Sequence, residues 1–332
     1  MSDTVTLGFL IFPDFPMACL TSAIEPLRAA NEISGTETFR WHVLGETGAP
    51  VTSSAGVVFA PDRVMTDTTD LDHIFLTSSP AGTFANDAKA TAFLQRHLRE
   101  GHSIGAFSGG IFPLARTGLM KGHPVSVHWC YDAAFSAEFP DSTPVKTVIC
   151  EGDQRLTVAG AAAVFDLMLS LIEKALGAEI MTEVACWFQH PFVRTGEVSQ
   201  KTPSLTTATT TDTMPKQVTK AIQMFAEHVE DPVQIRDVAA AVNMSTRSLE
   251  RSFRRATGES PLKYYRLLRL KQARQLVLYS SDTITEIAYS VGYSSTSPML
   301  NHYKEVYGVS PQDDRKNHNS FRVTDGSCLP SV

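Results

Sequence analysis

Ile235-Arg-Asp-Val-Ala-Ala-Ala-Val-Asn-Met-Ser245, then Arg247-Ser-Leu-Glu-Arg-Ser-Phe-Arg-Arg255, then Gly258-Glu-Ser-Pro261: this stretch is written twice in the chain. The second copy reads Ile284-Thr-Glu-Ile-Ala-Tyr-Ser-Val-Gly-Tyr-Ser294, then Met299-Leu-Asn-His-Tyr-Lys304, then Gly308-Val-Ser-Pro311. Val238, Ala239 and Val242 recur as Ile287, Ala288 and Val291, a step of 49. Leu249, Phe253, Gly258 and Pro261 recur as Met299, Tyr303, Gly308 and Pro311, a step of 50. A repeat of this size is one structural unit built twice. A unit of two short helices and a polar turn suits the major groove of DNA. Sequence-specific DNA binding is the function this stretch implies.

Charge supports that reading once the chain is divided. The 332 residues carry a net charge of −6, the wrong sign for a DNA binder. Yet residues 214–316 hold 15 Lys+Arg against 11 Asp+Glu, whereas residues 1–213 hold 13 against 23. The positive charge accompanies the repeat, as phosphate contact requires. With 43% hydrophobic and 19% charged residues, the composition is that of a globular protein. No apolar run reaches the length of a membrane span, so no membrane partner is expected. Val5–Phe12 is apolar, but it follows Asp3 and lacks a basic flank, so it reads as a buried strand rather than a signal peptide. Cys19, Cys130, Cys150, Cys186 and Cys328 are widely spaced and form no CxxC pair. That argues against a disulfide framework and a structural zinc site. A cytoplasmic protein without metal or cofactor is expected.

The Thr-rich segment 195–215 has almost no large apolar residues and reads as a linker. It separates an N-terminal domain, 1–194, from a C-terminal domain, 216–316; residues 317–332 read as a flexible tail. The N-terminal domain alternates strand patterns (Val5–Phe12, Phe39–Leu44, Leu71–Ser78, Ser103–Phe107, Ser126–Trp129, Leu156–Ala159) with helical ones (Cys19–Glu32, Asn86–Arg99, Ile111–Thr117, Ala161–Leu176). The fold class is therefore α/β, a flavodoxin-like, mostly parallel sheet with helices on both faces. The C-terminal domain reads as all-α. A helix is expected at Thr219–Val229, helix starts at Pro232 and Asp282, and a rod at Leu262–Tyr279 joins the two helix-turn-helix units.

In such a unit the second helix enters the groove. For the first unit that helix is expected at Thr246–Thr257, with Ser245, Thr246, Arg247, Glu250, Arg251 and Arg254 as its DNA-facing residues. Arg247 and Arg251 share one face, and an Arg pairs with guanine through two hydrogen bonds. Arg254 lies nearer the helix end and suits phosphates. The second reading helix is expected at Thr296–Tyr307 and offers Ser295, Thr296, Ser297, Asn301 and Lys304. It carries less charge and one adenine-type reader, Asn301, so it is expected to contribute less affinity. These residues resemble the AraC/XylS-type DNA-binding domain through Leu249/Phe253/Arg254, Gly258-x-Ser260-Pro261, Arg269-Leu270-x-x-Ala273, Val291-Gly292-Tyr293 and Gly308-x-Ser310-Pro311. The chain departs from that pattern at Met299, where Phe is usual, at Asn301, where Arg is usual, and at Asp314, where an aromatic is usual. The last departure is expected to loosen the final helix.

Ile104-Gly-Ala-Phe-Ser-Gly-Gly-Ile-Phe-Pro-Leu-Ala115 has an apolar strand ending at Phe107, Ser108 at the turn, and Gly109-Gly110 opening a helix. That is the layout of a nucleophile elbow. A serine also needs a base, and His102, His123 and His128 are nearby in sequence. With Glu25-Pro-Leu-Arg-Ala-Ala-Asn31, His128-Trp129, Arg155-x-Thr157 and Ala159-Gly160, this segment resembles the PfpI-like, class-I-glutamine-amidotransferase-like domain. Joined to an AraC-type domain, it looks like a GlxA-type transcriptional regulator. Catalytic relatives carry Cys at the elbow and a carboxylate after the first strand; this chain has Ser108 and Met17-Ala18-Cys19. The resemblance therefore implies no enzyme, no catalytic residue, and a pocket kept for binding.

Phe12, Phe15, Phe107, His128 and Trp129 fall at or near strand ends, where each is either core or pocket wall. Ser108, Gly109, Phe15, His128, Trp129 and Glu25 are the candidate ligand residues; Glu25 could equally salt-bridge with Arg28. Aromatic walls suit a quaternary amine, and the resemblance implies effectors such as amino acids, betaines or other amines. The partners expected are double-stranded DNA, a small-molecule effector, and a second copy in a homodimer. The reading is an activator of a catabolic operon. Two alternatives stay open: a bifunctional hydrolase or amidase using Ser108, and a constitutive DNA-binding dimer without a ligand.

Overall fold

The structure, a computed structural model, describes residues 4–68, 70–190, 198–200 and 215–318. They divide into two compact units, one within Met1–Lys201 and one within Thr202–His318. In the first, the order is β1 (Val5–Ile11), α1 (Met17–Ser34), β2 (Phe39–Gly45), β3 (Val51–Thr52), β4 (Val58–Phe59), β5 (Arg63–Val64), β6 (His73–Ser78), α2 (Asp87–Arg99) and β7 (Ser103–Ser108). It continues through α3 (Ile111–Arg116), β8 (Pro124–Ser126), α4 (Asp132–Glu138), β9 (Thr143–Val145), β10 (Ile149–Gly152), β11 (Arg155–Val158), α5 (Ala161–Leu176) and α6 (Ala178–Trp187).

Seven strands form one sheet in the order β10-β11-β7-β6-β1-β2-β5. Every neighbouring pair is parallel except β10 with β11. Strand side chains alternate between faces. Phe9, Ile11, Phe75 and Phe107 join Leu20, Leu27, Leu167, Leu171 and Val184 from α1, α5 and α6 in one core cluster. The intervening Leu10, Leu76, Ile104 and Ala106 are buried on the other face, where α2 and α3 pack on β6 and β7. The flavodoxin-like architecture with helices on both faces is thus the observed one. The expected strand Ser126–Trp129 is corrected: β8 ends at Ser126 and pairs with β9 outside the main sheet. The short α6 was not anticipated, since Val184 and Ala185 are its only buried residues and mark no stripe.

The second unit is helical, with α7 (Lys216–Glu227), α8 (Ile235–Ala241), α9 (Thr246–Thr257), α10 (Pro261–Tyr279), α11 (Ile284–Ser290), α12 (Thr296–Tyr307) and α13 (Pro311–His318). α9 and α12, the second helices of the two units, begin and end where the sequence places them. The helix starts at Pro232 and Asp282 are corrected to Ile235 and Ile284. At the second, Thr283 is the N-cap: its Oγ1 accepts from the Glu286 N–H at 3.2 Å, and Glu286 Oε2 accepts from the Thr283 N–H at 2.7 Å. This reciprocal capping box leaves Asp282 outside the helix. Of the expected linker, only 198–200 and Pro215 fall among the described residues. Residues 198–200 are bonded to the first unit, with Val148 N–H donating to Val198 O at 2.8 Å and Gln200 N–H to Lys146 O at 2.7 Å. Of the expected tail, α13 takes in residues 317 and 318; the rest lies outside the described residues.

Candidate DNA interface and effector site

In the first helix-turn-helix, α8 leads through a turn to α9. Asn243 holds the turn at φ 56°, a left-handed conformation that Asn tolerates better than most side chains. Ser245 caps α9 by accepting from the Ser248 N–H at 3.2 Å, and Gly258 ends it at φ 78°. Leu249, Phe253 and Thr257 form the buried stripe. Ser245, Thr246, Arg247, Glu250, Arg251 and Arg254 all lie on the exposed side. None of the three arginines has an ion-pair partner among the described residues. Leaving these cations unpaired keeps them available for phosphates and base edges.

The second unit repeats the frame, with Met299 and Tyr303 buried on α12. Ser295, Ser297, Asn301 and Lys304 are exposed, and Thr296 is half-buried. Three of its neighbouring arginines are committed internally. Arg269 Nε donates to Val291 O at 2.7 Å, and its guanidinium stacks 4.4 Å from the Tyr293 ring centre. Arg315 donates to Val277 O at 2.6 Å and Asp282 O at 2.9 Å. Arg274 donates to both oxygens of Asp314, at 2.8 and 3.1 Å, and the Tyr303 hydroxyl donates to Asp314 Oδ2 at 2.7 Å. Burial raises the Tyr303 pKa, and the bond to Asp314 raises it further, so the phenol stays protonated as the donor. The expectation that Asp314 loosens α13 is therefore overturned: its carboxylate ties α13 to α10 and α12.

In the first unit, β7 ends in a tight turn with Ser108 at φ 52° and almost wholly buried. A Cβ on Gly109 would run into the Ser78 carbonyl, and one on Gly110 into the Leu76 carbonyl. The turn thus presses on β6, and the glycines of the elbow have a packing reason of their own. Of the three histidines, His102 sits at the opposite end of β7, about 20 Å along the strand from Ser108. His123 lies in the turn before β8. His128 is engaged elsewhere: its Nδ1 is 2.9 Å from Cys130 Sγ and accepts from the Cys130 N–H at 3.3 Å. With Nδ1 accepting, the ring proton sits on Nε2. Burial pushes the His128 pKa down to about 4, so the ring is neutral.

His128 and Trp129 line a cavity of about 430 Å³ together with Val148, Ala159, Gly160, the start of α5 and residues 198–200. Gln200 closes it, accepting from the Trp129 N–H at 2.9 Å and donating to Val127 O at 2.7 Å. Sequence patterns gave no signal for Gln200, which lies in a segment without periodicity. Ser108, Gly109 and Phe15 are not in this lining. Phe15 is in the core, its ring centre 5.2 Å from that of Phe59; Phe12 and Phe107 are core as well. Glu25 lies on α1 and pairs with Arg28 at 2.9 Å. Asp166 is the buried structural carboxylate expected of an acid inside an apolar helix, with His190 Nε2 at 2.7 Å. A larger cavity, about 700 Å³, opens beside Val5, Phe39, His73 and Ser103 at the amino ends of the strands. Open parallel sheets bind ligands at their carboxyl ends, so the smaller cavity carries the functional argument. Among the described residues no His, Cys, Asp and Glu cluster is placed to hold a metal ion, and no helix is long and apolar enough to cross a membrane.

Comparison with known proteins agrees with both halves of this description. The DJ-1/PfpI family model matches residues 11–174, and a helix-turn-helix domain model matches residues 238–317. The HTH-type transcriptional regulator GbdR of Pseudomonas aeruginosa is 33% identical over 94% of this chain and 84% of its own length. The HTH-type transcriptional regulator GlxA of Rhizobium meliloti is 28% identical over 95% of this chain and 96% of its own. The crystal structure of an AraC family transcriptional regulator from Pseudomonas putida aligns at TM-score 0.50 and 21% identity, covering 55% of this chain and 99% of its own, a likeness of fold.

Proposed function

This chain belongs to the family of HTH-type transcriptional regulators that join a DJ-1/PfpI domain to an AraC-type DNA-binding domain, and from that premise we propose that it is an effector-responsive activator of a catabolic operon. As a member it is a DNA-binding regulator rather than an enzyme. The proposal adds the reading residues, the effector and the direction of control. Ser245, Thr246, Arg247, Glu250, Arg251 and Arg254 on the first unit, and Ser295, Thr296, Ser297, Asn301 and Lys304 on the second, face DNA. The observation that carries this reading is the arginine face of α9, exposed and without ion-pair partners among the described residues.

The effector is a small nitrogenous metabolite carrying a carboxylate, an amino acid or a betaine. The neutral His128, its proton on Nε2, has its ring edge beside Gly160, where the amino end of α5, without a side-chain cap, opens on the same cavity. Both favour a carboxylate oxygen. Trp129 offers an aromatic wall to the nitrogen end. Ser108, Gly109, Phe15 and Glu25, which the sequence also offered, lie outside the lining of this cavity and are not part of the proposed site. A metabolite sensed in this way suits a catabolic operon switched on by its own substrate. The protein is proposed to act as a homodimer on a two-fold operator.

Ligand-observed NMR of the full-length protein with pooled amino acids, betaines, carnitine and polyamines tests the sensor reading. Line broadening of an intact compound, lost in Trp129→Ala, is the expected result. New product signals that vanish in Ser108→Ala would put the hydrolase reading in its place. Unchanged signals and unchanged operator affinity with every compound would leave a constitutive DNA-binding dimer.

A further inference from the structure

We propose that Gly292 and Pro232 form a joint that fixes the separation of the two reading helices, and with it the spacing between the two groove segments the protein recognises. This rests on the reading of α9 and α12 as the helices that enter DNA. The rod α10 meets α9 and α11 through short connections, Gly258–Ser260 and Ser280–Thr283, and packs against helices of both units.

The turn of the second unit is wedged against the loop between α7 and α8 of the first. A Cβ added to Gly292 would lie 2.5 Å from Pro232 Cγ, 2.6 Å from Val229 O and 2.7 Å from Pro232 Cδ. The duplication separates two reasons for glycine here. The matching residue of the first unit is Asn243, with φ 56°, exposed to solvent. Gly292 has φ 74°. The helix-turn-helix therefore needs a left-handed residue at both positions, and Asn meets that need in the first. Only in the second unit is the side chain itself forbidden, because the other unit occupies its space.

α10 clamps both sides of this joint. The Tyr265 hydroxyl donates to His228 O and accepts from the Val233 N–H at 3.3 Å, which holds the loop on the first side. One turn further along, Arg269 holds Val291 O at 2.7 Å, with Tyr293 and Tyr265 on its guanidinium faces at 4.4 and 6.0 Å. Val291 and Tyr293 flank Gly292, so the clamp grips the wedge from both neighbours.

The joint matters most for α12. With Asn301 and Lys304 as its main readers, α12 binds weakly alone and depends on being delivered to the adjacent groove by α9. Its local concentration there is highest when the separation is fixed and falls as the units swing. Gly292 and Pro232 are thus positioning residues for spacing specificity.

The test uses full-length protein and an operator selected by it from random-sequence duplexes. Affinity is measured by fluorescence anisotropy on the whole operator, on operators with 1 or 2 bp (about 3 to 7 Å of DNA) inserted between its two parts, and on the part read by α9 alone. Gly292→Ala is expected to lose about tenfold on the whole operator, to match wild type on the α9 part, and to lose its preference for the native spacing. Adding Pro232→Ala is expected to restore part of the loss by making room for the methyl. Tyr265→Phe, which deletes one oxygen, is expected to give the same pattern more weakly and covers the case in which Gly292→Ala does not fold. Equal losses on whole operator and α9 part, or a wild-type spacing preference in both variants, overturn the joint. Asn301→Ala and Lys304→Ala without effect on the whole operator would instead show that α12 does not read DNA, which removes the underlying reading and the joint with it.

Discussion

The two helix-turn-helix units share a backbone and use their cations in opposite ways. Around α9, Arg247, Arg251, Arg254 and Arg255 are exposed. Around α12, Arg269, Arg274 and Arg315 hold backbone carbonyls or Asp314. The second core has been rebuilt to match. In the first unit Phe253 packs edge-on against Tyr264, ring centres 5.1 Å apart. The equivalent pair in the second is Tyr303 and Asp314, joined by a hydrogen bond and extended to Arg274. Duplication fixes the apolar frame, and the polar positions then diverge: one unit leaves its arginines exposed, the other turns three of its neighbouring arginines inward to hold the domain together.

The largest expected effect tests that division directly. The double variant Arg247→Ala/Arg251→Ala is expected to lose about 100-fold or more in operator affinity, from roughly 1–3 kcal/mol per lost contact. The pair Asn301→Ala/Lys304→Ala, which removes one base reader instead of two, should lose about tenfold, within roughly 1–3 kcal/mol for that single base contact. Anisotropy titrations rank the two pairs, and a larger loss for the second pair would break the comparison. Next in size is Asp314→Ala, which leaves the Arg274 guanidinium and the Tyr303 hydroxyl without their acceptor. A loss of about 1–3 kcal/mol in urea unfolding of the full chain is expected, toward the lower end because Arg274 is partly open to water. Asp314→Tyr, which copies the first unit's aromatic, should not recover it. If it does, the polar network contributes nothing that stacking would not.

A smaller difference lies in the caps. Ser245→Ala removes a bonded N-cap and is expected to destabilise by about 1 kcal/mol. Ser295 makes no cap bond, so Ser295→Ala should change thermal stability by only a few tenths of that, about 0.3 kcal/mol. The smallest effect is pH-dependent. His302, which replaces Ser252 of the first unit, has its pKa lowered by burial and nearby Arg266, and its Nδ1 lies 3.1 Å from the Tyr293 hydroxyl. A lowered folded pKa means that the contribution is complete above the ordinary value of 6.5 and is lost as pH falls below it. Thermal melts between pH 7 and pH 5 should therefore soften more in wild type than in His302→Ser. Identical pH profiles would remove His302 from the contrast.

Much of this was legible in the chain, for identifiable reasons. The bounds of α9 and α12 follow from a serine at each start, an apolar residue every fourth position, and Gly258 or Gly308 at each end. The parallel sheet follows from apolar runs alternating with helical stripes, and the elbow from Ser108 beside two glycines. The misjudged helix starts at Pro232 and Asp282 have one cause: both residues are common helix openers, but Thr283 with Glu286 caps better than Asp282, and Pro232 is taken up by packing. The cavity was half legible. His128 and Trp129 stood out as a motif, whereas Gln200 sits in a polar segment where no pattern picks out one residue.

The sequence by itself determined that a helix-turn-helix unit occurs twice, where the second helix of each unit starts and stops, and that an α/β domain with an elbow precedes them. Local spacing suffices for these, because helix period, capping and turn chemistry act over a few neighbouring residues. Only the tertiary structure decided what each polar residue is for. Asp314 looked like a flaw until Arg274 and Tyr303, 40 and 11 residues away, were brought to it. Gly292 looked like an ordinary turn glycine until Pro232 was found in the space of its missing side chain. A charge or a small residue takes its role from what the fold places against it, and the chain does not write that neighbour beside it.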